Sequence, residues 1–193
     1  MASRPKAFGL TAEVNAKIAK KYEISREQEA LRWIEAVLGD RTLFQGVEGE
    51  EATHDRLKDG VILCELMNAI TPGAIRKINR RPMPFLMMEN IGAFLDACKE
   101  YGVNSHDTFQ TVDLYERQNM VNVITGIYSL GRKAQANGYY GPALGPREAQ
   151  QNRRSFTEDQ LVQGRTTIGL QMGSNKGANQ SGMNFGKSRF ILD

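Results

Sequence analysis

Residues that do chemistry are scarce in this chain. It holds two histidines, His54 and His106, each in a polar stretch without an acid or nucleophile at a telling spacing. Both are expected at the surface. No H-E-x-x-H, EF-hand loop or paired C-x-x-C occurs, so neither a metal nor a cofactor is signalled and an enzyme has no candidate machinery. The only cysteines, Cys64 and Cys98, lie in apolar helical patterns. They read as buried reduced thiols of a cytosolic protein, not as a disulfide. No apolar run approaches the roughly 18 residues of a membrane span. The start, Met1 to Lys6, has no apolar segment behind it, so no secretory signal is expected.

What is present is helical periodicity. Asp59 to Ile70 is the most apolar stretch. Ile62, Leu63, Leu66, Met67 and Ile70 follow helical spacing, while Glu65 and Asn68, three apart, share one stripe. A helix apolar on nearly every side is buried on most sides, so this is expected to be the central helix, capped by Asp59 and stopped at Thr71-Pro72-Gly73.

Other helices surround it in sequence. Thr11 to Tyr22 reads as a first amphipathic helix. Ser25 to Gln28 fits a capping box, opening a helix with Ala30, Trp33, Ile34, Val37 and Leu38 on one face and Gly39 at its end. Residues 40–53 form an acidic loop whose Thr53 is expected to cap a short turn. Arg76 to Pro84 is a basic, proline-ended loop. Phe85 to Tyr101 carries Met87, Ile91, Phe94, Leu95 and Cys98 as a core stripe. Short pieces follow over 104–115, and Asn119 opens a last strong helix lined by Met120, Val123, Ile124, Ile127 and Tyr128. With no strand pattern before residue 160, the fold class is all-α.

Gly138 to Pro146 breaks the periodicity and reads as a linker. A short helix is expected over 156–163. Beyond it, glycines at 164, 169, 173, 177, 182 and 186 work against any stable helix, and the tail is expected to be flexible when free. The boundaries are therefore an N-terminal helix or arm, 1–23; a helical domain, 24–136, expected to fold alone; a linker, 137–155; and a tail, 156–193. Charge divides along the same line. Residues 1–131 hold 16 Lys/Arg against 18 Asp/Glu, a balance of −2; residues 132–193 hold 9 against 4, a balance of +5. A basic tail favours an acidic partner.

Within the tail, Ile168, Leu170 and Met172 occupy alternate positions and would face one way in an extended chain. Polar residues, glycines and the cations Lys176, Lys187 and Arg189 follow, as in a peptide that docks in extended form. Gly182 to Ser188 resembles a phosphate loop but has three residues between its glycines instead of four, and no strand or helix pattern beside it. Phe185 and Phe190 are not interleaved with the cations, so nucleic acid is not expected as a partner.

Asp59 to Asn68 is similar to the central helix signature of calponin-homology (CH) domains, with the Trp33 and Met120 helices where that family places its first and last main helices. Ile168 to Ala178 resembles the calponin-like repeat. One such domain followed by one repeat resembles the transgelin/calponin family. The resemblance implies a cytoplasmic, actin-associated cytoskeletal or muscle protein without catalytic activity, whose single CH domain binds filaments weakly or not at all. It places the actin contact at Ile168, Gly169, Leu170, Gln171, Met172, Gly173, Asn175, Lys176 and Gly177, with Lys187 and Arg189 beside them and Gly182 and Gly186 beyond. This chain has Asn179 where such repeats often carry a regulatory serine, and its 182–186 segment is one residue shorter than in the vertebrate repeat. A rival reading is a signalling adaptor whose helical domain recruits a protein partner.

Overall fold

The computed structural model describes residues 9, 13, 14, 17, 20–149 and 153–166. Half of the residues of the helix expected over 11–22 lie outside them. The described helices are α1 (Ile24–Leu38), α2 (Glu50–Leu57), α3 (Val61–Ile70), α4 (Pro84–Tyr101), α5 (Thr111–Tyr115), α6 (Met120–Ala136) and α7 (Glu158–Thr166), with a 3-10 turn at Ser105–Asp107. No strand occurs among the described residues, so the fold is all-α as expected. Two compact units divide the chain, 1–149 and 150–193.

α3 is the centre of the first unit. Its main neighbours are α4 and α1, and α2 also packs on it. Val61, Ile62, Leu63, Cys64, Leu66, Met67 and Ile70 are all buried, leaving Glu65, Asn68 and Ala69 as the outer stripe. The helix starts where the expected carboxylate works from one position further out. Asp59 Oδ1 accepts from Val61 N at 3.0 Å, while Gly60 is the capping residue with φ of 70°. Gly60 is required twice over, because an added Cβ would also stand 2.9 Å from Asn90 Cβ and 3.0 Å from Ile91 N. At the other end Thr71, before Pro72, turns extended with φ of −130°.

The remaining boundaries follow local chemistry. Gly39 and Gly102 end α1 and α4 in the left-handed region, and Asn119 Oδ1 caps α6 by accepting from Asn122 N at 3.2 Å. Trp33 is a core residue, as are Ile91, Phe94, Cys98 and Val123.

Four expectations are corrected. The capping box at Ser25 does not form: α1 begins at Ile24 with Glu23 as its capping residue, and Gln28 Nε2 donates to Val47 O at 2.9 Å and to Glu27 Oε1 at 3.0 Å. The reason is Glu27, which is fully buried and gathers donors. Tyr22 OH and Gly49 N (2.9 Å) also bond to it. Thr53 is not a cap but a buried residue inside α2, whose capping residue is Gly49. His54 is not at the surface. It is buried beside α5, with Nε2 3.4 Å from Tyr115 O and Nδ1 3.1 Å from Asp55 Oδ1; His106 is exposed.

The fourth correction concerns 138–146. The stretch has no helix, yet it packs as part of the first unit. Leu144 is buried against Gly131, where an added Cβ would stand 2.7 Å from Leu144 Cβ. Trp33 Nε1 donates to Pro142 O at 2.7 Å, and Gln135 Nε2 to Leu144 O at 2.9 Å. Without helical period, a buried strap of this kind looks like a linker. Its apolar anchors, Leu144 and the partly buried Tyr139, carry no pattern.

Candidate functional site

Ile168, Gly169, Leu170, Gln171, Met172, Gly173, Asn175, Lys176, Gly177, Lys187 and Arg189, with Gly182 and Gly186, all lie outside the described residues. What the structure describes of the second unit is the approach to them. Thr157 opens α7 with reciprocal side-chain bonds: its Oγ1 accepts from Gln160 N at 3.4 Å and its own N donates to Gln160 Oε1 at 3.0 Å. This helix covers 158–166, slightly later than expected, and Gly164 is accommodated near its end. Phe156, Leu161 and Val162 are exposed on or beside it, and Arg153 and Arg154 precede it.

The first unit presents a second surface, at the start of α4. Two asparagines hold the preceding loop in place. Asn68 Nδ2 donates to Ile75 O and its Oδ1 accepts from Ile75 N, both at 2.8 Å. Asn90, almost fully buried, accepts from Asn79 N at 2.9 Å and donates to Asn79 O at 2.7 Å and to Asp59 O at 2.9 Å. A primary amide suits this site because it supplies both donors and an acceptor without a charge to bury. On the outside, Arg80 pairs with Glu65 at 2.6 Å and Lys77 with Glu89 at 3.7 Å. The basic run at 76–81 is therefore an ordered ledge whose shape is set by residues on α3 and α4.

The thiols are structural. Cys64 Sγ donates to Asn90 O at 3.3 Å, and burial pushes both Cys64 and Cys98 up to about 12. Neither is a nucleophile at neutral pH. Between α1 and α6, Tyr128 OH donates to Glu29 Oε2 at 2.6 Å and Arg26 lies 4.7 Å over the Tyr128 ring. Burial, and then the bond to Glu29, raise Tyr128 to about 12. These groups satisfy one another and line an open groove with Thr125, Arg132, Gly145 and Pro146.

Comparison with known proteins places the whole chain. The calponin homology (CH) domain model matches residues 24–136 and the calponin family repeat matches 168–191. The chain is 47% identical to myophilin of Echinococcus granulosus over 195 residues, covering all of both chains. It is 45% identical to muscle-specific protein 20 of Drosophila melanogaster over 186 residues, covering 96% of this chain and 98% of the relative. Among solved structures, the CH domain of Rng2 from Schizosaccharomyces pombe superposes with a TM-score of 0.53 at 25% identity, covering 79% of this chain and 87% of that one. The CH domain of an IQGAP protein from the same organism gives 0.52 at 25% identity, with the same coverage. The chain belongs to the calponin family, as a single CH domain carrying one calponin repeat.

Proposed function

We propose that this chain is a cytoplasmic, actin-filament-binding protein of muscle or cytoskeleton that contacts the filament mainly through its C-terminal repeat. The observation that carries the reading is the calponin family repeat at 168–191, placed in the part of the chain that holds the positive charge. Ile168, Leu170 and Met172 anchor the peptide, and Lys176, Lys187 and Arg189 steer and hold it on the acidic filament. Glycines at 169, 173 and 177 let the backbone approach closely.

The test is filament co-sedimentation across a salt series. Neutralising Lys176 and Lys187 weakens binding more at low salt than at high, because exposed charges are screened beyond a Debye length of about 8 Å at physiological ionic strength. Leu170→Ala with Met172→Ala weakens it with little change in salt dependence, since apolar burial is not screened. A 1–150 fragment that sediments as fully as the whole chain overturns the assignment and moves the contact to the CH domain.

A further inference from the structure

Tyr128 lies in a groove built by α1, α6 and the 138–146 strap. Thr125, Tyr128 and Arg132, spaced three and four apart, share one stripe of α6; Arg26 and Glu29, three apart, share a stripe of α1. The strap closes one side with Gly145 and Pro146. A Cβ on Gly145 would stand 3.2 Å from Tyr128 Cδ1 and 3.8 Å from Arg132 Cγ, so the backbone lies directly against both side chains. The groove holds about 460 Å³, inside the range of about 300–1,000 Å³ common for small-molecule sites.

Its charges are unbalanced. The one carboxylate, Glu29, already accepts from Tyr128 OH at 2.6 Å through Oε2. Arg26 is exposed, with its guanidinium carbon 4.7 Å from the centre of the Tyr128 ring. A contact of that kind uses the flat face of the guanidinium and leaves its in-plane N–H donors for another partner. Arg132 is half-buried. One terminal nitrogen donates to Ser129 Oγ at 2.8 Å, while its Nε is enclosed with no acceptor. Neither arginine forms an ion pair among the described residues. A cation drawn partly out of water without an anion is unfavourable. What the groove lacks is an anion.

We propose that this groove binds a phosphate monoester whose organic part carries a hydroxyl group. Such a phosphate bears a charge of roughly −1.5 to −2 at pH 7 and three acceptor oxygens, enough to engage both guanidinium groups and offset both charges. A carboxylate brings a single charge and two oxygens, which match one guanidinium fork. Glu29 Oε1 remains to accept from the ligand's hydroxyl. The site is distinct from the repeat and stands whether or not the repeat is the filament contact.

The experiment titrates the isotope-labelled full chain with glycerol 2-phosphate, and separately with glycerol and with acetate, following the backbone amides by NMR. Glycerol 2-phosphate moves the amides of Tyr128, Ser129 and Gly145 saturably; glycerol and acetate do not. Arg26→Gln and Arg132→Gln each weaken binding by about tenfold or more, the scale of a lost hydrogen bond to a charged group. Arg41→Gln, exposed and outside the groove, leaves binding unchanged. Melting of the unliganded variants shows that they are folded, and Arg26→Gln carries the test alone if Arg132→Gln is not. Vesicles containing phosphatidic acid separate the sources of the ester. Sedimentation of the chain with them that is lost in Arg26→Gln assigns a lipid headgroup; no sedimentation, with glycerol 2-phosphate still bound, assigns a soluble ester. The proposal is overturned by the absence of a saturable shift at millimolar glycerol 2-phosphate. It is equally overturned if binding survives Arg26→Gln, if Arg41→Gln weakens it as much, or if acetate binds as tightly.

Discussion

Asn90→Ala tests a buried polar residue that ties the 76–81 loop to the start of α3. The side chain is buried and makes three hydrogen bonds: one accepted from Asn79 N at 2.9 Å, and two donated, to Asn79 O at 2.7 Å and Asp59 O at 2.9 Å. Each such bond contributes about 0.5–1.5 kcal/mol net, and a partner left buried and unpaired adds its own desolvation cost, so the expected loss is about 2–5 kcal/mol. Against a total stability of about 5–15 kcal/mol this is a large fraction. The loss is also local. Asn79 is released from α4, and with it the ledge that carries Arg76 to Arg81. Asn90→Asp is expected to be at least as damaging, because its carboxylate faces two carbonyl oxygens with no donor to offer them. Urea unfolding gives the stability change, and amide hydrogen exchange at Asn79 gives the local one. A loss under about 1 kcal/mol, with Asn79 as protected as in the parent, refutes the reasoning. It would mean that α3 and α4 hold the loop by packing alone.

Other expected outcomes follow from the same structure. Leu66→Ala, at a fully buried position of α3, costs about 2–5 kcal/mol in urea; a loss below about 1 kcal/mol removes α3 from the centre of the core. A 20–136 fragment is less stable than a 20–149 fragment by about 2–4 kcal/mol, because it loses the burial of Leu144 and the bond from Trp33 to Pro142; equal urea midpoints show that the strap contributes nothing. Alkaline conditions destabilise the fold. Cys64, Cys98 and Tyr128 have pKa values of about 12 in the folded chain against ordinary values of 9.0 and 10.0. Their neutral forms are favoured in the native state, so this stability is complete below about pH 9 and is lost as pH rises toward 12. Thermal midpoints across that range check it, and a flat profile contradicts it. At pH 8, below that range, a thiol reagent leaves both cysteines unmodified until denaturant is added.

The helices of this protein are legible in its sequence because apolar spacing, proline and glycine act locally. α3 reads from Ile62, Leu63, Leu66, Met67 and Ile70, and its stop from Pro72, since a helix-period stripe and a residue before proline each restrict the backbone with no distant partner. The resemblance to the calponin family was legible for the same reason: its signatures are contiguous. What the sequence could not show is any role that depends on a neighbour far along the chain. Glu27 looks like a surface glutamate, and only Tyr22 and Gly49 closing over it make it a buried acceptor. His54 becomes buried because α5 folds back across α2. Leu144 carries no periodic signal, yet the bare face of α6 at Gly131 receives it. The basic run at 76–81 reads as solvated charge; the tertiary structure pairs Lys77 with Glu89 and Arg80 with Glu65. Local backbone preferences are written residue by residue, whereas burial and pairing of polar groups are settled by which surfaces meet.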